Sequence, residues 1–425
     1  MTATGPAGQH TVRRHNCALV LAAVANEPGV SRAGVATRTG LTKATVSSLV
    51  DRLVLASLIR EEGRQHRSGP GRRGTSLSLS PDGPHGLGVE IAVDHVTTCL
   101  VGLTGGTRHA HVRRADNRDG PARTLERVAG EVADALRRAE HDGIPVGGVG
   151  VAVPGLVEAS GGRVHRAPNL GWHDVDLAEE LACHVPVAPG ELVVGNEANL
   201  AALAELAALR QAGGEVPESF VHVSGEVGIG AGLVLGGELF DGTRGFGGEL
   251  GHFPVRPRGP RCSCGSRGCL ERLAGQDAIL DRAGARDVDA LLALLDAADR
   301  TATSAVRSAG RLLGTALSSA VNLLDVPTVV LGGTYARLHP WLADPLTDEL
   351  GTRVLSARWH PVEVRASVLG ADAAVRGAAT TALRTILTDP ESFISPGRPP
   401  PHADSRTTSS VGSRIDGGSG VSPAS

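Results

Sequence analysis

Aromatic side chains are nearly absent from this 425-residue chain: one Tyr, three Trp and five Phe, 2% together. That excludes the aromatic platforms on which single-stranded nucleic acid is usually stacked. Lysine is reduced to Lys43, so positive charge here means arginine. Long apolar runs are missing too. The run Cys17–Ala25 is far short of the about 20 residues that span a bilayer, and it lies too far into the chain to read as a signal peptide. Cysteine is sparse and uneven: Cys17, Cys99 and Cys183 are scattered, while Cys262, Cys264 and Cys269 are crowded. That is a poor disulfide framework for a chain of this length, and it points to a reducing cytoplasm with no membrane partner. What remains, 41% apolar and 20% charged, is enough for two to four folded domains.

Negative charge is scarce at one end only. Eleven basic and four acidic side chains give residues 1–80 a formal charge of +7, leaving −10 on the rest. A basic head on an acidic body expects an anionic polymer as the partner of the head alone.

The head reads as residues 13–80, after a disordered 1–12. A helical pattern runs from Arg13 to a stop at Asn26-Glu27-Pro28-Gly29. Ser31 can cap a second helix ending at Thr39-Gly40. Thr42 can cap a third, with Val46, Leu49, Val50 and Leu53 on one face. Leu58–Arg60 and Ser76–Leu79 read as strands flanking a loop rich in Gly and Arg. This order predicts a winged helix-turn-helix, whose second helix enters the major groove of double-stranded DNA. The expected contacts are Lys43, Thr45, Ser47, Ser48 and Arg52 from that helix, and Arg64, Arg67, Arg72 and Arg73 from the wing. The competing reading is a three-helix protein-interaction domain with a solvated basic loop.

A linker at 81–85 leads to a body at 86–388, in which strand and helix patterns alternate. Strands are expected over Leu87–Val93, Thr97–Leu103, Val146–Val153, Glu191–Val194, Val221–Val223, Ala231–Leu235 and Thr328–Leu331. Helices are expected over Leu125–Arg138, Asn199–Arg210, Asp287–Ala298, Ala305–Leu324 and near Ala373–Thr388. Residues 389–425, mostly Ser, Gly, Pro and Arg, read as a disordered tail.

Within the body, His252 is followed by Cys262-x-Cys264-x4-Cys269. Three thiols and one imidazole suit tetrahedral Zn²⁺ with no open position, so the metal is expected to be structural.

These blocks resemble the ROK family of repressors, open reading frames and sugar kinases. The resemblance rests on Gly228-Ile-Gly-Ala-Gly232, Gly248-Glu-Leu-Gly251-His252, the Cys-x-Cys-Gly-x-x-Gly-Cys-x-Glu run, Pro168-Asn169-Leu170, Asn196-x-Ala-Asn199 and Val330-Leu331-Gly332-Gly333. Gly225 stands where an aliphatic residue is usual. The resemblance implies an α/β, actin-like body of two lobes with a ligand cleft between them, carrying the winged helix-turn-helix in front. It also implies a sugar held by Asn169, Asn196, Glu197, Glu249, His252 and Glu271, with zinc on His252, Cys262, Cys264 and Cys269 bracing the same pocket.

The kinase half of the pattern is damaged. The family's kinases use Asp-x-Gly-Gly-Thr to hold ATP phosphates; here Ala92, Val93 and Asp94 replace Gly-Gly-Thr. Glu197 replaces the family's catalytic Asp, and one extra methylene misplaces a carboxylate enough to cost about 10²-fold. The expectation is therefore no catalysis. The chain reads as a sugar-controlled transcriptional regulator, a repressor of carbohydrate genes acting as a homodimer or dimer of dimers. The alternatives are a sugar kinase of low activity and a zinc-stabilised scaffold whose head binds protein.

Overall fold

Local signals build the head. In this computed structural model, which describes residues 9–63, 75–158, 161–185, 192–213 and 216–394, Ser31 caps the helix Arg32–Thr39 by accepting the Gly34 N–H at 3.1 Å. Thr42 caps the helix Lys43–Leu55 through the Thr45 N–H at 3.2 Å. Gly40, at φ +71°, makes the left-handed turn between the two helices, which a side chain would disfavour. A first helix, Gln9–Asn26, and a small sheet of Val30–Ser31, Ser76–Leu79 and Ile59–Glu62 complete the winged helix. Its core is Leu21, Val24, Val35, Val46, Leu53, Leu58 and Leu77. The first helix starts at Gln9, so 9–12 belong to the head and not to a disordered leader. The wing tip with Arg64, Arg67, Arg72 and Arg73 lies outside the described residues.

The body holds two five-stranded sheets. The first runs Leu192–Asn196, Val146–Val153, His85–Ile91, His95–Gly102, Thr107–Arg114; the second runs Glu238–Leu239, Ile229–Leu235, Phe220–Gly225, Thr328–Gly332, Glu363–Ala366. Each mixes parallel and antiparallel pairs, as in α/β lobes with a hairpin at the edge. The first strand already begins at His85, inside the expected linker. Between the sheets lie the helices Glu197–Ala212 and Ala373–Ala382, packed on each other. The close approach depends on glycine. A side chain at Gly88 or Gly150 would overlap the carbonyl oxygens of Val375 or Ala378, and one at Gly377 would overlap that of Leu200. Among the described residues no helix is long and apolar enough to cross a membrane, and all six cysteines are free.

The chain does not become disordered at 389. Helices Arg384–Thr388 and Pro390–Ile394 carry it back to the head. Leu383 and Ile386 join the head's core. Buried Glu391 pairs with Arg52 at 2.7 Å and with Arg13 at 3.3 Å, and Asp389 accepts a bond from Arg14 at 3.1 Å. Composition hid this segment because its six residues are held by charge and by two apolar anchors, Phe393 and Ile394. Arg52, expected on DNA, is therefore turned to the C-terminal clip. Hydrogen bonds to charged partners contribute about 1.5–3 kcal/mol each, discounted here because both arginines are partly exposed. Glu391→Ala is expected to destabilise the head by about 1–3 kcal/mol. Thermal denaturation of Glu391→Ala, Arg52→Ala and the double variant should show a double-variant loss smaller than the sum; strict additivity would contradict the pairing.

Candidate functional site

The lobes meet at a cleft enclosing about 170 Å³. All six sugar positions inferred from the family pattern, Asn169, Asn196, Glu197, Glu249, His252 and Glu271, line it. They arrive from four places: the loop before Trp172–Val175, the start of the helix Glu197–Ala212, the turn before the metal loop and the start of the helix Glu271–Ala274.

Glu271 is held by the opposite wall. Its Oε2 accepts the Ile229 N–H at 3.3 Å and Asn169 Nδ2–H at 3.5 Å. Gly228 makes room for that pair, since a Cβ there would come within 2.7 Å of Glu271 Oε2. Asn169 Oδ1 in turn accepts from Ser263 Oγ at 3.5 Å. Asn196 lines the cleft but is occupied. Its Oδ1 accepts the N–H groups of Ala198 and Asn199, and its Nδ2 donates to the Gly155 carbonyl at 2.9 Å. It is the cap that sets Glu197 at the first position of its helix. Glu197 itself is pushed up to about 8, by burial first and then by Glu226, Glu249 and Glu271. At neutral pH it carries a proton. Burial also raises Glu249, against His252, while Glu271 adds to the rise.

Behind this wall, His252, Cys262, Cys264 and Cys269 present four ligand atoms within 4.8 Å of one another. Cys264 Sγ lies 3.7 Å from Cys269 Sγ, and Cys262 Sγ 3.8 Å from His252 Nδ1. Tetrahedral coordination at the usual Zn–S length of about 2.3 Å places sulfurs about 3.8 Å apart, so the donor set fits. Without a cation, burial and the neighbouring Cys264 and Cys262 push the Cys269 thiol up to about 12; a metal is what lets such crowded thiols ionise. With Nδ1 toward the sulfurs, His252 Nε2 faces Glu249 Oε2 at 3.7 Å. Carboxylate, imidazole and metal position thus form a line from the cleft inward.

At the turn after the strand His85–Ile91, Ala92 and Val93 are buried, and Asn117 Nδ2 pins the turn through the carbonyls of Ala92 and His95 at 2.7 and 2.9 Å. A hydrogen bond from His95 holds the Asp94 carboxyl below its ordinary range, so it stays charged. Three further residues, to which the motifs assign no role, belong to this region. Arg166 lines the cleft with its Nε unpartnered among the described residues. Glu90 and Glu226 stand where the two lobes face each other. Glu226 was legible as an acid two positions before Gly228-Ile-Gly; the convergence with Glu90 was not.

On the head, Lys43 and Ser48 are exposed along the start of the helix Lys43–Leu55, with Thr45 and Ser47 half-buried beside them. Thr45 Oγ1 sits 2.9 Å from Thr42 Oγ1 in the cap.

Comparison with known proteins matches both parts. Residues 86–385 fit the model of the ROK family, and residues 13–68 that of the MarR family. The chain is 28% identical to the xylose repressor of Bacillus subtilis (strain 168) over 377 residues, 87% of this chain and 95% of that one. It is 29% identical to the glucokinase of Halalkalibacterium halodurans over 250 residues, 54% of this chain and 74% of that one. The crystal structure of a ROK family transcriptional regulator, a homologue of the Escherichia coli MLC protein, superposes with a TM-score of 0.74 at 23% identity. It covers 90% of this chain and 99% of its own.

Proposed function

The chain belongs to the ROK family, and from that premise we propose that it is a DNA-binding transcriptional regulator, a repressor of carbohydrate-metabolism genes controlled by a sugar in the interlobe cleft. The observation that carries this reading is the pairing in one chain of a winged-helix head with a carboxylate-rich cleft, across the length shared with a repressor.

Asn169, Glu249, His252 through Nε2, and Glu271 bind the sugar hydroxyls. Protonated Glu197 donates to one, and Asn196 positions Glu197. Buried polar groups of this kind discriminate sharply, because a ligand lacking one hydroxyl leaves a partner unpaired. The metal is zinc on His252, Cys262, Cys264 and Cys269. When bound it supplies a fixed tetrahedral brace and no reaction chemistry. Phosphoryl transfer is lost: transfer needs positioned, charge-neutralised phosphates, whereas Ala92 and Val93 crowd the turn and Asp94 sets a charged carboxylate against them. A ligand that is not consumed serves as a signal. The head reads duplex DNA through Lys43, Thr45, Ser47, Ser48 and the wing arginines, and paired heads in a homodimer read paired half-sites.

Selection of genomic fragments by the full chain tests this. A small set of fragments is expected, with affinity falling by about 10³–10⁵ between 50 and 200 mM salt if each complex makes 6–10 phosphate contacts. Lys43→Ala is expected to relax sequence preference. No DNA retained at low salt would refute the regulator, and sugar-dependent ADP release at about 1 s⁻¹ would make the chain a kinase.

A further inference from the structure

Beyond the sugar cleft lies a second cavity of about 20 Å³ between the lobes, room for a single water. Glu90 reaches it from the central strand of the first sheet, and Glu226 from the end of the strand Phe220–Gly225 in the second. Glu197 separates it from the sugar cleft, lining both. Among the described residues none of these three carboxyls has a hydrogen-bond partner. His222 also lines the cavity, fully buried, with neither ring nitrogen partnered.

The charges facing this cavity are one-sided. Asp372 approaches from the start of the helix Ala373–Ala382, Glu249 and Glu271 from the sugar side, and Asp94 from the turn after the first strand. His95, already paired with Asp94 at 2.7 Å, is the one group set against them, and burial keeps His222 neutral by pushing it down to about 4. No lysine or arginine lines the cavity among the described residues. Burial, then Glu226 and Glu197, raise Glu90 well above the carboxylate range, and burial raises Glu226. Two carboxyls brought together from opposite walls cannot both ionise; with the lobes apart, each is solvated and titrates near 4.3.

We propose that Glu90 and Glu226 form a proton-dependent latch between the lobes, closed when the pair holds its protons and released when both carboxyls ionise. The two acids belong to different lobes, so their repulsion acts directly on the cleft. Closure takes up protons, and raising the pH opens the body. Per proton, the open-to-closed ratio rises by up to about tenfold per pH unit between the open-state and closed-state pKa values. The latch requires neither a particular ligand nor DNA binding.

Small-angle scattering and thermal denaturation of the zinc-loaded full chain without sugar, from pH 6 to pH 9, test it. The wild type is expected to expand and lose thermal stability as the pH rises. Glu226→Gln, which mimics the protonated acid, is expected to stay compact with a flatter stability profile, and Glu90→Gln, from the other lobe, to do the same. Should one glutamine variant fail to fold, the other decides. Equal pH profiles in the wild type and the variants would overturn the latch. So would recovery of the compact form at pH 9 on adding Mg²⁺ alone, which would make the cavity a cation site.

Discussion

Removal of the metal is expected to abolish sugar binding and to lower the thermal midpoint of the body by about 10 °C. The loop it closes carries two cleft residues at its ends, His252 and Glu271, and starts just after a third, Glu249. Among the described residues the loop is otherwise held by backbone bonds, among them Arg256 N–H to Gly268, Gly268 N–H to Pro260, Cys262 N–H to Ser266 and Leu270 N–H to Phe253, with bridges Pro254–Cys269 and Arg261–Arg267, and none of these fixes the His252 ring or the thiols. Structural zinc contributes about 10–16 kcal/mol in finger peptides, and about 4 kcal/mol of that kind would move the midpoint by about 10 °C at this size. Without metal His252 is free to turn, Glu249 loses the imidazole that orients it, and the thiols must reprotonate. Calorimetry before and after chelation, with readdition of zinc, checks this, and Cys269→Ser is expected to behave as the stripped protein does. An unchanged midpoint and unchanged sugar affinity after stripping would contradict the bracing role.

Glu249→Ala is expected to weaken sugar binding by about 10²–10⁴-fold, the loss of two charge-assisted hydrogen bonds at about 1.5–3 kcal/mol each. Glu249 is a cleaner target than Glu271, whose Oε2 also holds the Ile229 N–H and so fastens a strand end. Among the described residues Glu249 faces only His252 as a charged partner, at 3.7 Å. The fold and the head should therefore survive the change. Titration calorimetry with the effector should show the loss, while operator affinity without sugar stays within about twofold. Retained sugar affinity would remove Glu249 from the site.

What the sequence made legible was local or tightly spaced. Ser31, Thr42 and Gly40 announce their caps and turn because those bonds span three or four residues. The strand Val146–Val153 was bounded correctly because an unbroken apolar run ends at Pro154-Gly155. The convergence of His252, Cys262, Cys264 and Cys269 could be read from four donors in eighteen positions, and the residues lining the cleft from family motifs whose order the fold preserves. The edge strand Thr107–Arg114 was missed because it is exposed and charged, with no alternation to betray it. The helix Gly333–Arg353 was hidden by Pro340 and Pro345. Asn196 lines the cleft and also caps the helix Glu197–Ala212, a second role that a motif does not announce. The C-terminal clip and the Glu90–Glu226 pair depend on residues far apart in the chain, which no spacing rule joins.

The central claim is that one chain couples a sugar to an operator. The most direct measurement is operator affinity of the full, zinc-loaded protein, titrated with each member of a monosaccharide panel in the presence of MgATP. The account predicts that at least one sugar shifts operator affinity by about 5–150-fold, and that the operator shifts that sugar's affinity by the same factor, with no ADP formed. An operator affinity indifferent to every sugar that binds the cleft would contradict it.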